Sequence, residues 1–172
     1  MTDAGAGLQA RLGAAGVTPV PDVDGGAVAA LPVPAGWVDV GAEVMPAART
    51  VLAAVDRSRA GWSPNAVLLD HRLSGPVDPA AVLPGAIVDA RAMPGWTTEI
   101  DRIDQTPAGE RALVRGTYEA EGFLARVTLA LVIAADGETG GQRLVQLTVT
   151  VPADADDMLD AVDEMVDGLR VD

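Results

Sequence analysis

The 172-residue chain has no cysteine and no lysine. Without cysteine there are no disulfides, thiolate nucleophiles, zinc–thiolate sites or lipidated cysteine anchors in this sequence. Its twelve basic residues, all arginine, face 25 acidic ones, for a net charge of -13. A nucleic-acid binder needs the opposite field, because its affinity rests on cations that neutralise phosphates. The same deficit argues against adhesion to an anionic membrane surface. No apolar run approaches the about 18 residues of a membrane-spanning helix. Histidine occurs once, at His71. A hydrolytic triad, a histidine–metal site or a neutral-pH general base would all run through it. No serine sits in a G-x-S-x-G elbow and no second histidine shares a metal, so His71 is expected to be structural. Residues 1–11 hold neither the basic region nor the apolar run of a secretion signal, which predicts a cytoplasmic protein.

Hydrophobic residues make up 49% and charged residues 22%, the balance of one globular domain with a sizeable core. Residues 1–26 are rich in Gly and Ala and predict a flexible arm, with one short helical turn near Leu8 to Leu12; the domain proper is expected over 27–172. Gly5-Ala6-Gly7-Leu8-Gln9-Ala10 matches a loose dinucleotide fingerprint, but no strand precedes it to aim a pyrophosphate at a helix. From residue 27 the pattern is mostly period two. Val51, Ala53 and Val55 share a side. Val67, Leu69, His71 and Leu73 oppose Leu68, Asp70 and Arg72. Phe123, Ala125, Val127, Leu129, Leu131 and Ile133 form one face of a longer strand. Val145, Leu147, Val149 and Val151 alternate with Gln146, Thr148 and Thr150. Gly-containing connections at 119–122 and 136–141 predict hairpins, hence an antiparallel meander.

Two segments change to helical period. Asp78-Pro79 starts one, which Pro84-Gly85 interrupts. The last carries Met158, Leu159, Val162, Met165, Val166 and Leu169 on one stripe, with Asp154, Asp156 or Asp157 expected as cap and Gly168 as stop. The fold class predicted is α+β, a mainly antiparallel sheet of six to eight strands flanked by helices. The final helix's outer face is acidic: Asp156, Asp160, Asp163, Glu164 and Asp167 are candidate contacts for a basic partner. A calcium loop is not expected, since Leu159 and Met165 stand where it needs Gly and Glu. Trp37, Trp62 and Trp96 each follow a glycine, and Trp37 and Trp96 are expected to anchor the core. Trp62, in a loop, is a candidate ligand or partner contact, and Met93 and Trp96 could line an apolar pocket beside it. The face of Leu124, Thr128 and Ala130, or that of Gln146, Thr148 and Thr150, is left to solvent or to a second copy in a homodimer.

Six segments in order, Leu31-Pro32-Val33-Pro34-Ala35-Gly36-Trp37, Pro64-Asn65-Ala66-Val67-Leu68, Gly75-Pro76-Val77-Asp78-Pro79, Met93-Pro94-Gly95-Trp96, Gly116-Thr117-Tyr118 and Gly168-Leu169-Arg170-Val171, resemble the actinobacterial LpqN/LpqT family. That resemblance, over residues 27–172, implies a Mog1/PsbP-like α/β/α sandwich. It also implies a non-enzymatic role with no catalytic residue and no cofactor or metal: a protein-binding, adaptor or chaperone-like module, linked to secretion or cell-envelope clients. The family's best-known members are exported lipoproteins, from which this cysteine-free sequence departs. The partner expected is a protein with a basic or amphipathic surface; the alternative is a carrier of a small apolar ligand held between sheet and helix.

Overall fold

The computed structural model describes residues 5–23, 29–41 and 43–171. Strands β1 (Pro19–Pro21), β3 (Val38–Asp39), β4 (Thr50–Ala53), β5 (Asn65–Leu73), β6 (Thr97–Thr106), β7 (Gly109–Ala120), β8 (Phe123–Ala135) and β9 (Gln142–Pro152) form one eight-stranded antiparallel sheet. Its order is β3-β4-β5-β9-β8-β7-β6. β4 pairs with β5 at one end and β1 pairs with β5 at the other, so the two short strands share one edge of β5. A small second sheet joins β2 (Ala29–Ala30) to β10 (Arg170–Val171). The expected meander is present and is longer by one strand. β6 has only Ile100 and Ile103 as apolar residues, so it lacks the alternation that marks half-buried strands; it lies at the sheet edge and bulges between Thr98 and Ile100.

Period two sorts the strand side chains into two cores. Leu52, Ala66, Leu68, Leu113, Ala130, Leu147 and Val149 face Trp37 and helix α4 (Leu159–Asp167), which contributes Val162, Met165 and Val166. On the other face, Leu73, Leu131, Ile133 and Leu144 pack against helices α1 (Leu8–Ala14), α2 (Pro79–Val82) and α3 (Pro84–Arg91) through Leu8, Leu12, Val82, Leu83 and Ala86. Each fully buried aliphatic side chain contributes about 1.5–3 kcal/mol, so both helical layers are held by packing. Asp78 caps α2 by accepting from the Ala80 N–H at 3.1 Å, and Pro84 divides α2 from α3 as its position predicts.

The structure corrects several expectations. Residues 5–23 are not a free arm, whereas residues 1–4 and 24–26 lie outside the described residues. α1 is fixed because Asp89 of α3 accepts from the Leu8 N–H at 2.9 Å, and Arg11 donates to the Ala6 and Ala81 carbonyls. Gly85 permits this contact: a Cβ there would lie 2.6 Å from the Leu8 nitrogen. No acidic side chain caps α4; a 3-10 turn at Asp156–Met158 leads into it. Gly168 ends α4 at an ordinary φ of -88, and it is glycine because a Cβ would meet Pro32 at 2.6 Å. Thr128 and Ala130 are buried under α4 and are unavailable to a second copy, while Gln146, Thr148 and Thr150 stay half-buried.

Candidate functional site

One end of the sheet opens into a groove of about 750 Å³. Two tight turns build it. In the first, the Arg59 and Trp62 backbones exchange hydrogen bonds of 2.8 and 3.0 Å around Ala60 (φ 51) and Gly61 (φ 79), both left-handed. This is the geometry of a type I′ hairpin turn. Ala60 is the one non-glycine with positive φ among the described residues, and it lines the groove. The second turn, Glu121-Gly122, joins β7 to β8 with Gly122 at φ 87 and brings Phe123 and Leu124 into the lining. Pro152 and Ala153 close the base, where the Ala153 N–H donates to the Leu124 carbonyl at 3.0 Å.

The Trp62 and Phe123 rings lie 4.9 Å apart at 46°. Phe123 is 37% and Leu124 50% exposed, a large apolar surface for two adjacent residues. Arg59 and Asp154 form an ion pair at 3.3 Å on the margin. Just outside, Arg57 donates to both carboxylate oxygens of Asp157 at 2.7 and 3.1 Å. Those hydrogen bonds hold the Asp157 carboxyl below its ordinary range.

Of the candidate contacts, only Trp62 lines this groove. Met93 and Trp96 sit at the α3–β6 junction instead. Trp96 spends its Nε1–H on Thr98 Oγ1 at 2.8 Å and lies over Gly116, where a Cβ would come within 2.4 Å of the ring. It is a half-buried packing residue, less enclosed than Trp37. The acidic residues near and on α4 are partly spent on the sheet: Asp156 pairs with Arg126 at 2.8 Å and Asp163 with Arg115. Asp160 and Glu164 are exposed and carry no ion pair among the described residues, and Asp167 acts on Arg111 through space. Sequence reasoning missed Phe123 and Arg59 as groove residues, and placed Leu124 only on a face left to solvent or to a second copy. The alternation of β8 groups Phe123 with the buried Ala125 and Val127, although Phe123 itself is exposed. The signal that marks it is position, since a residue just after a two-residue turn lies at the rim.

The opposite end of β5 is built from charge. Arg143 is wholly buried, donating from Nε to Asp70 at 3.0 Å, and from Nη2 to Asp70 at 2.8 Å and Asp22 at 2.5 Å. Asp136 lies 3.6 Å from its Nη1. Arg72 reaches Asp22 at 2.9 Å and Glu138 at 3.3 Å, and Arg49 lies 4.0 Å from Asp70. Burial alone would lower the Arg143 guanidinium, but its bonds to Asp70 and Asp22 outweigh that and raise it. Asp136 is held below its ordinary value chiefly by the Thr139 hydroxyl. His71, one residue from Asp70, has a buried Nδ1 with no hydrogen-bond partner, and desolvation pushes its imidazole down despite that carboxylate.

Fold and site together define an antiparallel α/β/α sandwich with an apolar rim groove and a buried ionic network. The family described as "Probable lipoprotein LpqN" matches residues 14–172, and the chain belongs to that family. The proline-rich 28 kDa antigen homolog of Mycobacterium leprae is 31% identical over 148 residues, 82% of this chain and 50% of that protein. The chain thus spans about half the length of the curated relatives it matches. LpqN of Mycobacterium tuberculosis, whose crystal structure is described as that of a protein involved in cell envelope biogenesis, superposes with a TM-score of 0.81 at 18% identity, covering 96% of each chain. The Ran-binding protein Mog1p of Saccharomyces cerevisiae is a more distant likeness, at a TM-score of 0.45 and 11% identity over 90% of this chain and 96% of that one. The expected family and sandwich fold are therefore the observed ones. The expected cytoplasmic location is corrected: the family is described as one of probable lipoproteins, and a lipoprotein is held at the cell envelope by its lipid. Among the described residues no helix is long and apolar enough to cross a membrane.

Proposed function

We propose that this chain is a binding module of the cell envelope, acting as an adaptor or chaperone-like protein and performing no covalent chemistry. The carrying observation is the rim groove, where the Trp62–Phe123 pair and Leu124 remain partly in solvent. Aromatic side chains presented this way are the anchors on which protein interfaces concentrate their energy. The placement of His71 supports the non-enzymatic reading: among the described residues no carboxylate accepts from its Nδ1, and neighbouring Asp70 is committed to Arg143, so no base–orienter pair is assembled there. The envelope setting follows the family description and the role stated for LpqN of Mycobacterium tuberculosis.

The test is a pull-down from mycobacterial envelope extract with the wild-type chain and a Trp62→Ala/Leu124→Asn variant. Proteins retained by the first and lost by the second support the reading; identical retention, or none, removes it. A second reading, carriage of a small apolar ligand, is favoured by the groove volume, which lies in the range of small-molecule sites. Mass spectrometry of an organic extract of the purified protein decides it, because an empty extract ends the idea.

A further inference from the structure

The groove has apolar walls and a carboxylate margin. Glu121 is exposed on the β7–β8 turn and has no ion pair among the described residues. Asp154 stands on the same margin, paired among the described residues with Arg59 alone at 3.3 Å, with the two side chains 61% and 73% exposed. An ion pair so hydrated is weak and exchangeable. Arg59 begins the turn in which Ala60 takes a left-handed conformation that its methyl disfavours. Strained residues of this kind gather at ligand clamps. Arg59 therefore shows what Asp154 accepts, a guanidinium, and it is a partner the molecule can give up.

We propose that the groove takes a linear segment of a partner protein in which an apolar or aromatic side chain packs onto Trp62, Phe123 and Leu124 while a flanking arginine or lysine displaces Arg59 from Asp154 and another cation faces Glu121. This rests on the binding reading above and specifies the chemistry of its partner. Charge selects this occupant. A second copy brings another net charge of -13, and an anionic lipid headgroup meets the same carboxylates, so both are repelled. A neutral apolar molecule leaves the margin unused. A cationic segment is steered inward by the field of the whole chain and gains the apolar contact on arrival.

The probe is a fluorescein-labelled synthetic peptide with a Leu-Phe centre flanked by arginine pairs, compared by anisotropy with the same peptide carrying glutamate instead of arginine. The arginine peptide is expected to bind the wild-type chain, and to bind more weakly as salt rises from about 50 to about 300 mM. Leu124→Asn and Phe123→Ser, both at exposed positions, each weaken it by roughly tenfold, the scale of an interface anchor. Asp154→Asn weakens it by about threefold, and Arg59→Ala tightens it by a similar factor, because an internal competitor for Asp154 is gone. Circular dichroism of each variant confirms an unchanged fold. Equal binding of the glutamate peptide, weaker binding by Arg59→Ala, or no binding of either peptide overturns the proposal. If both peptides fail while the variant-sensitive capture of envelope proteins persists, the partner chemistry is wrong and the binding reading stands; if both assays fail, both readings fall.

Discussion

At one end of β5 the molecule leaves Trp62, Phe123 and Leu124 partly in solvent; at the other it buries Asp70 and Arg143 completely. The usual partition of apolar inside and charged outside is inverted at both ends, for different reasons. An exposed aromatic pair sacrifices burial energy in the free protein and regains it only when something covers it. A buried Arg–Asp pair gains little net stability over an apolar pair of the same size, but it makes rearrangement expensive, because either charge left alone in the interior is heavily penalised. Asp22, in the segment after β1, accepts from both Arg72 and Arg143, so this network ties the early chain to the sheet. The groove end forgoes apolar burial in the free chain, whereas the network end forgoes the solvation of its charges.

The largest expected effect tests the network end. Asp70→Ala strands the Arg143 charge and is expected to cost about 3–5 kcal/mol in urea unfolding, whereas an Asp70→Leu/Arg143→Met double variant, which removes both charges, is expected to stay within about 1 kcal/mol of wild type or above it. A single-variant cost below about 1 kcal/mol would mean that the pair locks nothing. At the groove end, Ala60→Gly relieves the left-handed strain at some entropic expense, for a net gain of about 0.5–1 kcal/mol, visible as a raised melting temperature. No gain there would mean that the turn is unstrained. Removing the exposed groove pair with Arg59→Ala is expected to change stability by less than about 1 kcal/mol, against the several lost by breaking its buried counterpart.

The smallest effect is one of pH. The folded value of His71 lies below its ordinary 6.5, so on acidification the unfolded chain takes up the proton first. Its contribution is fully present above 6.5 and is lost as pH falls through the depressed value. Urea midpoints measured across this window should decline for wild type and stay level for His71→Gln. Asp104, held down chiefly by its hydrogen bond with Arg111, and Asp136 have folded values below 3.8, so their contributions persist to more acidic pH and are lost only there.

Much of the fold was legible because strand periodicity is local. Val145, Leu147, Val149 and Val151 are buried together, and Asp78, Pro79 and Pro84 start and divide the helices where their chemistry requires. Past the Met93-Pro94-Gly95-Trp96 turn β6 shows no alternation, because an edge strand needs none. Residues 5–23 read as an arm because glycine composition signals freedom, whereas Gly7 is used for close packing, a Cβ there falling 1.9 Å from Asp89 Oδ1. At the site, Trp62 was legible from its loop and the glycine before it. Phe123 was not, because one residue decides whether an alternating strand position lies in the core or just past its end.

Periodicity, turn residues and charge composition, all carried within a few residues of chain, were enough to specify an antiparallel sheet with helices on it and a strongly acidic chain. Which side chains meet was settled only by packing. Trp62 and Phe123, or Asp22 and Arg143, are brought together by the register of strands far apart in sequence, and the energy of burying both helical layers selects that register. The groove and the ionic network are products of that selection, and no local pattern encodes either.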